Sequence, residues 1–281
     1  MQKLAQNKLA TRYISLSHVV WLIITLLVFC ALIKLGLWQL DRAQQKDARI
    51  ARIEQLSSGT AAPLTELLAA KEIQGLFART DNVGDQEHYA TQLIEQLNDV
   101  PVMFNAEFDD TWLFFLDNQP NKGVFGYRVF QLAQLPNLEK ENGEPLFLLI
   151  NLGWVKGSID RKVLPNITPI AGNYQLKGNI RFIEIGVQLT EQVFEESAHI
   201  QRIQQVEVDK LAKLTKKPLL PFVIYLDKAE TLGFVKNWQP IVMPPEKHRG
   251  YAFQWFSLAS AWLVLMIIAA RKSYKNNKHH A

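Results

Sequence analysis

Thiol chemistry is nearly absent from this sequence, whose only cysteine, Cys30, lies inside an apolar run. A single thiol excludes an intramolecular disulfide, a Cys-x-x-Cys redox or copper site and a Cys-x-x-Cys-His haem attachment site. Any domain of this chain that folds outside the cytoplasm must therefore be held together by packing.

Signatures of catalysis are also missing. The histidines of the central segment, His88, His199 and His248, lie far apart, and the sequence has no His-Glu-x-x-His pair, no nucleophile elbow and no glycine-rich phosphate-binding loop. We therefore expect a protein that is not an enzyme.

Acidic residues are missing from both ends of the chain. Residues 1–16 and 271–281 hold seven of the 31 basic residues and none of the 27 acidic residues. The rest of the chain is slightly acidic, which gives no support to a surface for nucleic acid.

Two long stretches lack charge altogether, residues 19–33 and residues 250–270. A membrane-spanning helix needs roughly 20 mostly apolar residues, and Trp38, Tyr251 and Trp255 lie where interfacial aromatic residues are expected. The alternative for the first stretch is a cleaved signal peptide, but no small-x-small cleavage site follows it. We therefore expect two retained membrane helices that contact lipid.

The basic tails predict the topology, because short basic flanks remain on the cytoplasmic side. The predicted segments are a cytoplasmic tail (1–16), a transmembrane helix (17–37), an extracytoplasmic domain (38–249), a second transmembrane helix (250–270) and a second cytoplasmic tail (271–281). In a bacterial cell this describes a multi-pass protein of the cell inner membrane with a periplasmic central domain.

The central segment begins with a helical pattern and continues with strands. Residues 41–56 are rich in helix formers, and 65–77 and 88–99 are weaker helix candidates. Short apolar runs then alternate with Asn/Gly/Pro clusters, which is typical of antiparallel strands; the runs include 102–108, 111–117, 127–135, 146–155, 174–182 and 222–227. The predicted fold is a membrane protein in which two transmembrane helices flank an extracytoplasmic, mainly antiparallel β domain, barrel-like or sandwich-like, with peripheral helices.

Four motifs follow one another along the chain: Leu-Gly-x-Trp-Gln-x-x-Arg-x-x-x-Lys from Leu35 to Lys46, GYRVFQL at 126–132, LLINLGWV at 148–155 and HRGYAFQWFSLA at 248–259. In this order and topology they resemble the surfeit-locus protein one (Shy-type) family, whose members assist cytochrome c oxidase assembly. The resemblance covers nearly the whole chain, although residues 71–99 match no family feature. Departures from the usual family pattern at Glu246, Lys247, Arg249 and Leu152 indicate a divergent bacterial branch.

The resemblance implies that haem a is a transient cargo, delivered to subunit I of the oxidase, with haem a synthase as a second candidate partner. A haem ligand requires an imidazole beside an apolar slot. His248 borders the outer end of the second span, whereas His18 lies at the cytoplasmic end of the first. The expected cofactor-binding residues are His248, Arg42, Trp38, Tyr251 and Trp255, with His248 on the haem iron.

Alternatives remain for several of these roles. Arg42 either pairs with a haem propionate or a partner subunit, or it only meets lipid headgroups, and His248 is otherwise an interface histidine. We expect Gly36 to allow the second span to approach the first closely. The second span would pack there through its face of small residues, Ser257, Ser260 and Ala261. The alternative function is a haem-free membrane scaffold for oxidase intermediates. A sensor is less expected, since residues 271–281 hold no output module.

Overall fold

The computed structural model describes residues 16–70, 86–140, 143–183, 194–195 and 198–279 of the chain. The elements are α1 (Leu16–Ser57), β1 (Ala62–Pro63), α2 (Leu64–Ala69), α3 (Gln86–Leu97), β2 (Pro101–Leu116), β3 (Gly126–Glu139), β4 (Pro145–Lys156), β5 (Ala171–Arg181), β6 (Ile200–Ile203), α4 (Val208–Thr215), β7 (Leu219–Leu226) and α5 (Pro245–His279). They form two compact units. One comprises the chain up to Ala51 and from Ile241 onward, and the other comprises Arg52–Pro240.

Helices α1 and α5 each contain a segment that is long and apolar enough to cross a membrane. Few residues in these segments are buried, 6% in α1 and 11% in α5. This exposure suits a helix whose apolar side chains face lipid. At 1.5 Å per residue, α1 is about 63 Å long, roughly twice the hydrocarbon thickness of a bilayer. The helical pattern of residues 41–56 thus belongs to the same helix as the first span, as predicted.

The strands of the central unit close into a barrel in the order β2-β3-β4-β7-β5, and β5 returns to β2. The β4–β7 pair is parallel, whereas the other pairs of this ring are antiparallel. Strand β2 makes the closure possible because its first half pairs with β5 and its second half with β3. The mainly antiparallel β domain is therefore confirmed, and the structure selects the barrel over the sandwich.

The two apolar runs at 102–108 and 111–117 were expected to be separate, but both belong to β2. An irregularity in the β2–β3 register between Phe108 and Leu113 bends the strand so that it serves both neighbours. The helix expected at 88–99 corresponds to α3. The first part of the helix expected at 65–77 corresponds to α2, which ends at Ala69. The rest of that prediction falls on residues 71–85, which lie outside the described residues.

The barrel interior holds the larger core, and a second apolar cluster covers the outer side of β3, β4 and β7 beside α4. Strand β4 is buried on both faces, from Phe147 to Trp154. This two-sided burial explains why β4 reads as a continuous apolar run rather than an alternating one. The alternation of buried and exposed side chains predicted for β5 is confirmed at Leu176, Gly178 and Ile180, which are buried. Tyr174, nearer the start of the strand, has the same parity but is exposed.

Candidate functional site

Three side-chain contacts join α1 and α5 and fix their direction. Trp262 Nε1 donates to the carbonyl oxygen of Thr25 over 3.0 Å, His248 contacts Gln39, and Arg249 pairs with Asp47. Residue numbers rise along α1 as they fall along α5, so the two helices are antiparallel.

The less exposed residues of both helices recur at alternating steps of three and four, which is the heptad spacing of a coiled coil. These seam residues are Thr25, Phe29, Leu32, Gly36, Gln39, Ala43, Lys46 and Ile50 on α1, and Pro245, His248, Ala252, Trp255, Ala259, Trp262 and Met266 on α5. Trp38 and Arg42 lie beside the seam of α1, and Tyr251 lies beside the seam of α5. The heptad positions of Trp38, Arg42 and Tyr251 therefore determine on which side of the helix pair each of these three residues lies.

His248 is a polar residue within this seam. It is 7% exposed, and its Nδ1 lies 2.8 Å from Gln39 Oε1. An amide oxygen carries no hydrogen, so this contact is a hydrogen bond only when Nδ1 holds the proton. When the imidazole is neutral, Nε2 then keeps its lone pair, and no described residue forms a hydrogen bond with it. Of the two neutral tautomers, the contact in the seam thus selects the one that is protonated at Nδ1.

Gly36 lies where the helices approach closely. A Cβ at this position would be 2.5 Å from the Phe256 ring. The close approach is therefore as predicted, but the predicted small face of α5 is wrong, because Ser257, Ser260 and Ala261 are exposed. Ala252 and Ala259 are buried instead, since steps of seven residues return to the same helix face and those three residues lie off it.

The two sides of the seam differ in chemistry. On one side, Arg249 pairs with Asp47 and lies 4.0 Å from Glu246. In heptad notation Asp47 and Arg249 are both e positions, which face each other in an antiparallel pair. This side is therefore an ionic contact that reinforces the register.

The opposite side carries Arg42 and Tyr251, which are both g positions and so share one side of the pair. His248 and Trp255 are d positions, which border this side. Trp38 is a c position, next to the g position of Arg42 on the surface of α1. Trp38 is 54% exposed and Tyr251 is 43% exposed. The five predicted site residues thus belong to one side of the helix pair, which we call the aromatic face.

Arg42 is held on the surface by its own helix. Its Nη1 donates to Gln45 Oε1 over 2.7 Å, and Gln45 Nε2 donates to Asp41 Oδ2 over 2.8 Å. This chain of hydrogen bonds orients the guanidinium group while leaving it exposed. Sequence reasoning found Arg42 but missed Gln39 as the partner of His248, although both residues lie within the recognised motifs.

A sequence model described as the SURF1 family matches residues 26–260. The chain belongs to the SURF1 family. SURF1 proteins are assembly factors for cytochrome c oxidase rather than a catalytic family, so the association of this chain with oxidase assembly follows from its membership. No curated protein matches the chain significantly.

The four SURF1 motifs meet in two pairs in the structure. The first and fourth form the helix seam at Gln39 and His248. The second and third form adjacent strands, in which Arg128 of β3 lies opposite Trp154 of β4. In the barrel, Gly126 packs against the Trp154 ring so closely that a Cβ would lie 2.5 Å from it. The second and third motifs therefore build the barrel.

Two departures from the usual SURF1 pattern have a structural basis. Leu152, where the family usually has arginine, is 1% exposed and belongs to the barrel core, so an apolar side chain suits this position. Arg249, where a leucine is common, makes the ion pair with Asp47. The part of the chain that the structure describes holds no cluster of three His, Cys, Asp or Glu residues suited to a metal ion.

Proposed function

We propose that this SURF1 protein assists oxidase assembly by holding haem a at the aromatic face and transferring it to subunit I. The observation that carries the proposal is the contact between His248 Nδ1 and Gln39 Oε1, which in the neutral ring leaves Nε2 as the lone-pair nitrogen. Haem iron is commonly held by a neutral imidazole of this kind. The neutral ring of His248 thus already presents the nitrogen that ligation requires before the cargo arrives.

The remaining residues of the aromatic face suit the other parts of a haem. Tyr251 and Trp255 offer aromatic surface beside the macrocycle, and Trp38 lies further round on the same side. Arg42, oriented by Gln45, offers a guanidinium group to a propionate. Arg42 lies one helical turn beyond Gln39, away from the apolar span, which suits a haem whose propionates point toward water.

The proposed location follows from the charge of the tails. Both termini lie in the cytoplasm, the barrel lies in the periplasm, and the protein resides in the inner membrane of a bacterium. Subunit I lies in the same membrane, so the cargo passes between two membrane proteins without crossing water. Haem a synthase is the partner that would load it.

An absorption spectrum of the full-length protein tests the proposal. The protein is purified in detergent from a host that makes haem a. We expect the wild type to carry haem and His248→Ala to lose its Soret band or shift it strongly. Gln39→Leu should lower haem affinity about 10-fold to 100-fold, as loss of a residue that orients a metal ligand typically does. Gln44→Leu is the matched control, because Gln44 is exposed on the same helix.

Two further variants separate the roles at the face. Arg42→Ala should weaken haem retention by about 1.5–3 kcal/mol if the guanidinium binds a propionate, and by almost nothing if it only meets headgroups. His18→Ala should retain the wild-type spectrum, since it lies at the other end of its span. An unshifted spectrum in His248→Ala, or a wild type without haem in this host, would favour the alternative, a haem-free scaffold that stabilises oxidase intermediates.

A further inference from the structure

The barrel unit contains a cavity of its own. Its volume is about 340 Å³, within the range of small-ligand sites in proteins, about 300–1,000 Å³. It lies where β3, β4 and β7 meet the segment that follows β7. Its chemically distinctive lining residues are Arg128, Tyr225, Lys228, Lys236, Asn237 and Trp238.

The cavity carries more positive than negative charge. The cations are Arg128, Lys228 and Lys236, whereas the lining carboxylates, Asp99 and Asp227, are already engaged. Asp99 is paired with Arg181, and Asp227 Oδ1 accepts the backbone N–H of Ala229 over 2.8 Å. The site therefore favours an anion.

Aromatic rings hold the cationic groups in place. The rings of Tyr225 and Trp238 lie 4.6 Å apart, Arg128 stacks over Tyr225 at 5.5 Å, and Arg181 stacks over Trp238 at 4.9 Å. Stacking orders a guanidinium group without using its N–H donors. Arg128 thus presents ordered donors at the cavity wall.

Two residues that line the cavity carry polar groups that are poorly satisfied. Asn237 Oδ1 is buried without a hydrogen-bond partner among the described residues. The ammonium group of Lys236 donates only to the carbonyl oxygen of Leu232 among the described contacts. Burial lowers the pKa of Lys236, and the nearby Glu230 only partly opposes this. A buried acceptor and a desolvated cation both become more stable when a ligand supplies the missing donor and the missing negative charge.

We infer that this cavity binds an acidic peptide segment of a partner protein. A glutamate or aspartate residue offers both required groups, a carboxylate for Arg128 and Lys236 and a peptide N–H for Asn237 Oδ1. A cavity of this size accepts one side chain with its peptide group. A simple carboxylate such as acetate supplies the charge but not the donor. The inference is independent of haem binding.

The test uses the full-length protein in detergent with 5-fluorotryptophan in place of tryptophan. The ¹⁹F signal of Trp238 is assigned by its loss in Trp238→Phe. The probe is acetyl-Ala-Glu-Ala-amide, and the matched neutral probe is acetyl-Ala-Gln-Ala-amide. We expect the glutamate peptide to shift the Trp238 signal with an affinity that falls as salt is raised, because exposed charges are screened. The glutamine peptide should leave the signal unchanged.

Variants of the cations locate the binding. Arg128→Gln and Lys236→Gln should each weaken binding about tenfold or more, while Lys122→Gln, at an exposed lysine in the β2–β3 turn, should bind as the wild type does. Lys236→Arg keeps the charge and should retain most of the affinity, which separates lost binding from lost folding. Equal shifts by both peptides, equal affinity for acetate, or full binding by Lys236→Gln would overturn the inference.

Discussion

Lys236 shows how a single partly buried charge contributes to stability. Its ammonium group lies at the barrel cavity with a carbonyl oxygen as its hydrogen-bond partner, and burial lowers its pKa from the usual 10.5. The unfolded chain therefore binds more protons than the folded chain in the pH window between the lowered pKa and 10.5. Within this window the free energy of unfolding rises with pH.

This gives a pH-dependent prediction for Lys236→Met. At neutral pH the variant should be more stable than the wild type, because it removes a cation that is costly to bury. The difference should shrink as the pH rises from the lowered pKa toward 10.5, because the folded chain then no longer holds this ammonium group in its charged form. Thermal unfolding of the purified protein between pH 7 and 10 measures both effects.

Lys122→Met, at an exposed lysine, controls for the loss of charge as such. The series stops at pH 10 because burial raises the pKa of Tyr127 above its usual 10.0. Above pH 10 this tyrosine binds its proton more tightly in the folded chain and stability falls with pH, which would mask the lysine. A difference between variant and wild type that grows with pH would contradict the assignment.

At the scale of elements, the α1–α5 pair combines small residues with a few polar contacts. Gly36, Ala43, Ala252 and Ala259 are buried along the seam. Helices in membranes associate mainly through close packing and hydrogen bonds between helices, since lipid removes the hydrophobic drive. The seam has both features, which explains how two helices distant in sequence form one unit.

Gly36→Ala tests this packing. The added Cβ would lie 2.5 Å from the Phe256 ring, so the helices must separate or the ring must move. We expect a loss of about 1–3 kcal/mol in the free energy of unfolding, the usual cost of overpacking. Thermal or denaturant unfolding in detergent measures it.

Gly250→Ala is the matched control, because a Cβ at Gly250 meets nothing within 4 Å. This variant should be neutral or slightly stabilising, since alanine favours helix over glycine. Replacing Phe256 by leucine in the Gly36→Ala background should restore part of the loss. Equal stability of the two alanine variants would rule out a tight contact at Gly36.

At the scale of the whole molecule, the predicted topology is testable with reporter fusions. Asn121 lies in the tight β2–β3 turn, where its N–H donates to the carbonyl oxygen of Val124 over 2.9 Å. A turn of this kind usually tolerates insertion. A reporter active only in the periplasm should work when inserted there and should be silent when fused after Ala270. The reverse pattern would place the barrel in the cytoplasm.

The sequence by itself determined the features that depend on local pattern. The absence of charge identified both membrane helices, and the alternation at Leu176 and Ile180 identified the buried face of β5. Each of these features depends on residues within a few positions of one another, which is the range over which helix and strand periodicity acts.

Only the tertiary structure decided what each buried face packs against. Periodicity shows that a face is buried but not what its partner is. It therefore could not identify the barrel closure by β2, the seam through Ala252 and Ala259, or the cavity around Asn237. The contact between Gln39 and His248 joins residues 209 positions apart. The pairing of such distant residues is determined by the packing of the whole helix pair, which no local pattern contains.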